Sequence, residues 1–147
     1  MNKKCFKQNK GFSLVELAIG LAVITVLILA ISVSAGIRDN ARLQSAANSV
    51  QTLRSAAENF ITDGNINYKD LTVENLKLAK LLPDNFTAGG SNPWGGDFNV
   101  VANPTNNTRF DISLTGLAQA DANKLNAYFN NNASGLSFNG GTWIATF

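Results

Sequence analysis

The chain has 147 residues, 45% of them hydrophobic and 15% charged, with 12 basic side chains against 10 acidic ones and no histidine. That balance suits one small packed domain and argues against general disorder. A single cysteine, Cys5, excludes an intrachain disulfide and a CxxC metal site, and the lack of histidine excludes His-based zinc sites and Ser-His-Asp catalysis.

The positive sign belongs to the first residues. Lys3, Lys4, Lys7 and Lys10 precede Phe12, which leaves eight basic against 10 acidic side chains in the rest of the chain. Arg38, Arg42 and Arg54 are spread along a helical pattern and Arg109 stands alone in a strand pattern. No basic stripe marks a nucleic-acid surface, so no nucleic-acid partner is expected. From Leu17 to Ile37 runs an uncharged stretch of 21 residues. As a helix it is about 31 Å long, matching the roughly 30 Å hydrocarbon core of a bilayer. A cleavable secretory signal has an apolar core of about 7 to 15 residues, and this run is longer. A plain anchor accounts for the length, and the lysines hold its N-terminus on the cytoplasmic side. Neither accounts for Glu16, a carboxylate at the entrance of the apolar run.

The stretch KGFSLVEL, a short basic leader ending in Gly11, then Phe12, then Glu16, then an unbroken apolar helix, resembles the processing site of type IV prepilins and pseudopilins. The resemblance implies that a membrane-embedded prepilin peptidase cuts between Gly11 and Phe12 and methylates the new amino group of Phe12. It implies no cofactor for this chain. It also gives Glu16 a role, since in an aligned pack of helices its carboxylate meets the Phe12 amine of a neighbouring subunit and sets axial register. The alternative for Glu16 is a side chain that snorkels to the headgroups. Leu14, Leu17, Ile19, Leu21, Val23, Ile24, Leu27 and Leu29 would form the filament-core helix. Many pilins carry a proline in this segment; here none occurs between Phe12 and Pro83.

Beyond the apolar run, Leu43, Ala47, Val50, Leu53, Ala57 and Phe60 recur in steps of three or four, with Arg42, Gln44, Asn48, Gln51, Arg54 and Glu58 between them. This spacing predicts that one helix continues from about Ser13 to Ile61, apolar all round at first and amphipathic afterwards. Gly20 and Gly36 are weak points in it. Four segments are expected: 1–11 a leader that is removed, 12–37 the transmembrane and filament-core segment, 38–62 the amphipathic half of the helix, and 63–147 a globular head.

In the head, TVENLKLAKLLP reads as a short helix capped by Thr72 and stopped by Pro83, with Leu76, Ala79 and Leu82, or Leu78 and Leu82, facing inward. Asp63, Asn65, Asn67 and Glu74 occupy the first, third, fifth and twelfth places of a calcium-loop pattern, but Tyr68 stands where glycine is wanted. A solvated Asn-rich loop is favoured, and no metal is expected. Next, GGSNPWGGDFNV reads as a turn feeding a sheet, with Trp94 covering the core. DFNVV and TRFDISL pair as a hairpin with Phe110, Ile112 and Leu114 inward. A helix follows, carrying Leu117, Ala118, Ala122, Leu125 and Phe129, and then a hairpin turning at Asn139, Gly140 and Gly141, with Phe138, Trp143, Ile144 and Phe147 closing the sheet. The fold class expected is α+β: a long N-terminal helix packed on a small antiparallel sheet with one or two extra helices. Its element order resembles type IVb pilins, although the disulfide usual in such heads is missing.

Three function classes remain. The first is the major structural subunit of a type IV pilus, stored in the inner membrane as a single-pass protein among lipid, handled by the pilus assembly machinery and exported as a homopolymer into an extracellular fibre. The second is a pseudopilin or minor pilin of a type II secretion or DNA-uptake system. The third, a membrane-anchored enzyme, is disfavoured. Asp97 and Asp111 lie on strand patterns, but their flanking residues supply no nucleophile, metal set or phosphate loop.

Overall fold

The computed structural model describes residues 13–62, 64–84, 86 and 92–147, with the side chains of 30–35 outside that description. Among the described residues the elements run α1 (Leu14–Thr62), α2 (Val73–Leu78), β1 (Phe98–Ala102), β2 (Phe110–Leu114), α3 (Gln119–Phe129), β3 (Gly135–Asn139) and β4 (Thr142–Thr146). This is the expected α+β arrangement, a long helix and a four-stranded antiparallel sheet with further helices. The chain divides into two compact units, Met1–Asp39 and Asn40–Phe147, and α1 contributes to both.

In the second unit α1 turns one face to the core. Ala46, Ala47, Val50, Leu53, Ala56, Ala57 and Phe60 are buried, two adjacent rows at helical spacing rather than the single row that the sequence suggests. Beyond the helix end, Asn65 donates its side-chain amide to the Phe60 carbonyl at 2.9 Å, satisfying one of the last orphan acceptors.

Strand order is β1-β2-β4-β3, antiparallel throughout. The registers Val100↔Ile112, Ile112↔Ala145 and Leu114↔Trp143 put apolar partners side by side on the buried face. Asp111↔Thr146 and Asn99↔Ser113 fall on the other face. A one-residue slip would exchange these sets, so burial itself fixes the register. Gly140 and Gly141 have φ of 56° and 82°, the pair of left-handed residues that a two-residue hairpin loop requires.

Aromatic packing takes the place of a disulfide. Tyr68 meets Phe110 edge-on at 4.8 Å, Phe110 stacks on Phe147 at 5.6 Å, and Phe129 lies 5.6 Å from Trp143. Each such pair contributes about 0.5–1.5 kcal/mol beyond the area it buries. The Trp143 indole donates to Asn126 at 2.8 Å, tying α3 to β4. Trp94 is half-buried against this core, as expected of a cover, whereas Ala118 precedes α3 and is exposed.

Two local expectations need correction. Thr72 caps α2, its hydroxyl accepting from the Asn75 amide at 3.1 Å, but the helix ends at Leu78, well before Pro83. Lys80 adopts φ 57°, and the Lys80 and Leu81 amides return to the Lys77 and Leu76 carbonyls, a Schellman ending built without glycine. That early stop turns Leu78 outward, 81% exposed, while Val73, Leu76 and Leu82 are buried.

The turn into β1 is organised by Asn92, which is only 4% exposed. Its amide nitrogen donates to the Thr115 carbonyl at 2.7 Å, and its oxygen accepts from the Trp94 and Gly96 amides at 3.0 and 2.9 Å. A Cβ on Gly96 would lie 2.0 Å from the Thr115 carbonyl oxygen, so glycine is required where these two turns touch.

Candidate functional site

At the start of the first unit, Ser13 and Glu16 close on one another. The Ser13 hydroxyl accepts from the Val15 amide at 3.3 Å, and Glu16 Oε2 accepts from the Ser13 amide at 3.2 Å. This is a reciprocal capping box, in which the serine and the acid three residues later each satisfy an orphan N–H of the first turn. Glu16 therefore stabilises the helix start as well as carrying charge, and its position in the first turn suits the positive end of the helix dipole. The signature S-x-x-E is legible in SLVE, yet reading Glu16 for register alone passes over it. Oε1 has no hydrogen bond to any described residue.

Downstream, the side chains expected in a filament core stand out from the helix. Leu14 is 84% exposed, and Leu17, Ile19, Leu21, Val23, Ile24, Leu27 and Leu29 each remain more than half exposed. Apolar surface all round a helix requires lipid or other helices against it. Among the described residues no helix is long and apolar enough to cross a membrane. The side chains of 30–35 lie outside the description, so the unbroken stretch Leu17–Ile37 rests on the sequence. Gly11 and Phe12, the expected cleavage and methylation positions, also lie outside the described residues. α1 runs through Gly20 and Gly36 as helix.

The calcium pattern is not drawn together. Asp63 lies outside the described residues, Asn65 is turned to the Phe60 carbonyl, Asn67 accepts from the Lys69 amide at 3.0 Å, and Glu74 sits in the first turn of α2. Among the described residues no group of three or more Asp, Glu, Cys or His could hold a metal ion. Asp111 is a structural acceptor. Asn103 donates to both its oxygens, at 2.9 and 3.1 Å, and Thr146 donates at 2.7 Å, which joins the β1–β2 loop to β4. Asp97 is exposed at the entrance to β1.

The second unit also holds a cleft of about 370 Å³ where α1, the segment after it, the β1–β2 loop and the α3–β3 loop converge. The sequence gives no hint of it, because its walls are far apart along the chain. Arg54 is fixed on one side, 2.8 Å from Glu58, 3.4 Å from the Asn132 carbonyl and 4.9 Å above the Phe147 ring. Arg109 also lines the cleft and is exposed. Burial pushes the Tyr68 hydroxyl above its ordinary value of 10, and the Glu58 carboxylate adds to the rise, so Tyr68 stays a hydrogen-bond donor at neutral pH.

Comparison with curated proteins finds no match to the chain. A family model described as the prokaryotic N-terminal methylation motif matches residues 6–32, the interval that contains most of the basic leader, Gly11, Phe12, the Ser13–Glu16 box and most of the apolar run. The chain thus carries the class III leader of type IV pilin-like proteins, and this supports a pilin-like or pseudopilin protein of the structural rather than the enzymatic kind.

Proposed function

We propose that this chain is the major subunit of a type IV pilus, cut between Gly11 and Phe12 by prepilin peptidase, methylated at Phe12 and polymerised through α1. The observation that carries this reading is the apolar, solvent-facing half of α1 headed by Glu16 and lying within the methylation motif. Before assembly the segment 12–37 sits in the inner membrane with the lysines on the cytoplasmic side. After cutting, Phe12 gains a cationic amine next to the capped first turn. An ionised acid at mid-membrane costs on the order of 2–4 kcal/mol, less near the interface. The amine of a neighbouring subunit offsets that cost at the Glu16 carboxylate. A subunit out of step leaves both charges unmatched, and losing one partner of a buried pair costs about 3–5 kcal/mol. Head-to-tail contacts that do not close into a ring then extend as a helical filament.

The test is the mass and first residue of the exported protein. Fibres made mainly of a chain beginning at N-methylated Phe12 support the reading. An intact leader on a monomer rejects it, and a few copies within fibres of another subunit reject the major-pilin assignment.

A further inference from the structure

The tip of the β3–β4 hairpin carries a reactive pair that the assembly role does not use. Asn139 is the one asparagine in the sequence that is followed by glycine. Its side chain is exposed and makes no hydrogen bond to any described residue, and the Gly140 amide makes none either. A Cβ built on Gly140 would meet nothing within 4 Å, so solvent surrounds the tip. Other asparagines are held or blocked. Asn92 and Asn103 precede prolines, whose nitrogens carry no proton, and both are tied down by hydrogen bonds. Asn65 and Asn126 are engaged at 2.9 and 2.8 Å, and the backbone amide that follows Asn132 is bound to the Phe129 carbonyl at 2.9 Å.

An asparagine side-chain amide lies one ring closure from the next backbone nitrogen, and glycine, having no Cβ, leaves that nitrogen unshielded. We propose that Asn139 is a self-modification site, deamidating through a succinimide formed with Gly140. The Gly140 nitrogen gives up its proton to solvent base and attacks Asn139 Cγ; the new N–Cγ bond forms, the Cγ–Nδ2 bond breaks, and ammonia leaves after taking up a proton. Water then opens the ring at either carbonyl, giving aspartate or isoaspartate with no change of oxidation state. Asn139 and Thr142 form the last rung of the hairpin, so the ring closes when that rung frays, an opening of the low-energy, local kind. Either product adds a negative charge to the tip. Isoaspartate also inserts a methylene into the backbone just before Gly140, which is incompatible with the geometry of a two-residue loop. The Gly141 carbonyl on this tip accepts from the Leu117 amide at 3.0 Å, so isoaspartate loosens the hairpin from the segment before α3. The chemistry does not depend on whether the chain polymerises.

The experiment incubates the full chain in detergent micelles in mildly alkaline buffer, with a parallel sample unfolded in urea. Both are digested and mapped by mass spectrometry with electron-transfer fragmentation, which locates the converted residue and separates aspartate from isoaspartate. In the folded chain Asn139 should convert before any other described asparagine, and its rate should rise with pH because the attacking nitrogen must lose its proton. Asn139→Gln, whose longer side chain closes a ring far more slowly, should abolish the conversion at this position. Asn139 is exposed, so circular dichroism of that variant should match the parent. Conversion of Asn139 in urea but not in the folded chain overturns the proposal, because the hairpin would then protect the pair. Earlier conversion at another described asparagine of the folded chain overturns it too, as does a rate at Asn139 that does not change with pH.

Discussion

One helix is used in two ways. From Leu14 to Leu29 α1 exposes large apolar side chains on every side, and from Asn40 to Thr62 it buries a face of alanine, valine, leucine and phenylalanine while showing polar groups elsewhere. Backbone hydrogen bonding is the same in both halves. What differs is the fate of the apolar surface: the second half buries it within its own unit, and the first half leaves it exposed. Helix propensity decides neither outcome, because in both halves the surrounding surface dominates the energetics.

The contrast can be broken most severely at Glu16. Glu16→Gln removes the charge that a neighbour's amine would meet while keeping a group able to accept from the Ser13 amide, so the monomer should stay helical. Fibre yield should fall by about a hundredfold or more if a buried pair worth about 3–5 kcal/mol is lost. Electron microscopy of sheared fractions and circular dichroism of the monomer would read the two effects separately, and unchanged fibre yield would refute the register role.

Paired truncations in the two halves sharpen the comparison. Leu53→Ala should destabilise the second unit by about 3 kcal/mol, since Leu53 is fully buried and its loss leaves a cavity. Leu21→Ala should change the same transition by less than about 0.5 kcal/mol, since Leu21 lies outside that core. The two tryptophans, Trp94 and Trp143, are both in the second unit. Their fluorescence during denaturant unfolding in micelles therefore reports on that unit alone.

A smaller effect is expected at Asn92. Asn92→Ala would strand the Thr115 carbonyl and the Trp94 and Gly96 amides, at about 2 kcal/mol if water reaches some of them. The same unfolding measurement checks it. Smallest is the pH effect at Tyr68. Because folding raises its pKa, the unfolded chain releases this proton first, and stability should decline as pH rises above 10, with no contribution to the pH dependence near neutrality. Comparing the melting temperature with that of Tyr68→Phe across that alkaline range isolates the slope.

Legibility in the sequence follows the range of the interactions. The alternation Phe110, Ile112, Leu114 and the helical steps Val50, Leu53, Ala57, Phe60 mark buried faces correctly because each is a local repeat with one period. The end of α2 is misleading because proline is a visible stop signal, whereas the left-handed Lys80 is not. Asn92 is invisible as an organiser, for its key acceptor is 23 residues away on Thr115. The cleft around Arg109 is hidden for the same reason, being assembled from segments that meet only after folding. At the N-terminus the opposite holds: the leader and Glu16 are conspicuous, and the capping box inside them is masked because the more specific resemblance already gives the acid a role.

The sheet order places β4, the last strand along the chain, between β2 and β3. Until Thr142–Thr146 arrives, β3 has no strand to pair with and Phe110 lacks the stacked ring of Phe147. Closure of the sheet therefore waits for β4, and pairing across such sequence distances is intrinsically slow. Until then the unpaired side of β2 is an edge open to mispairing between copies.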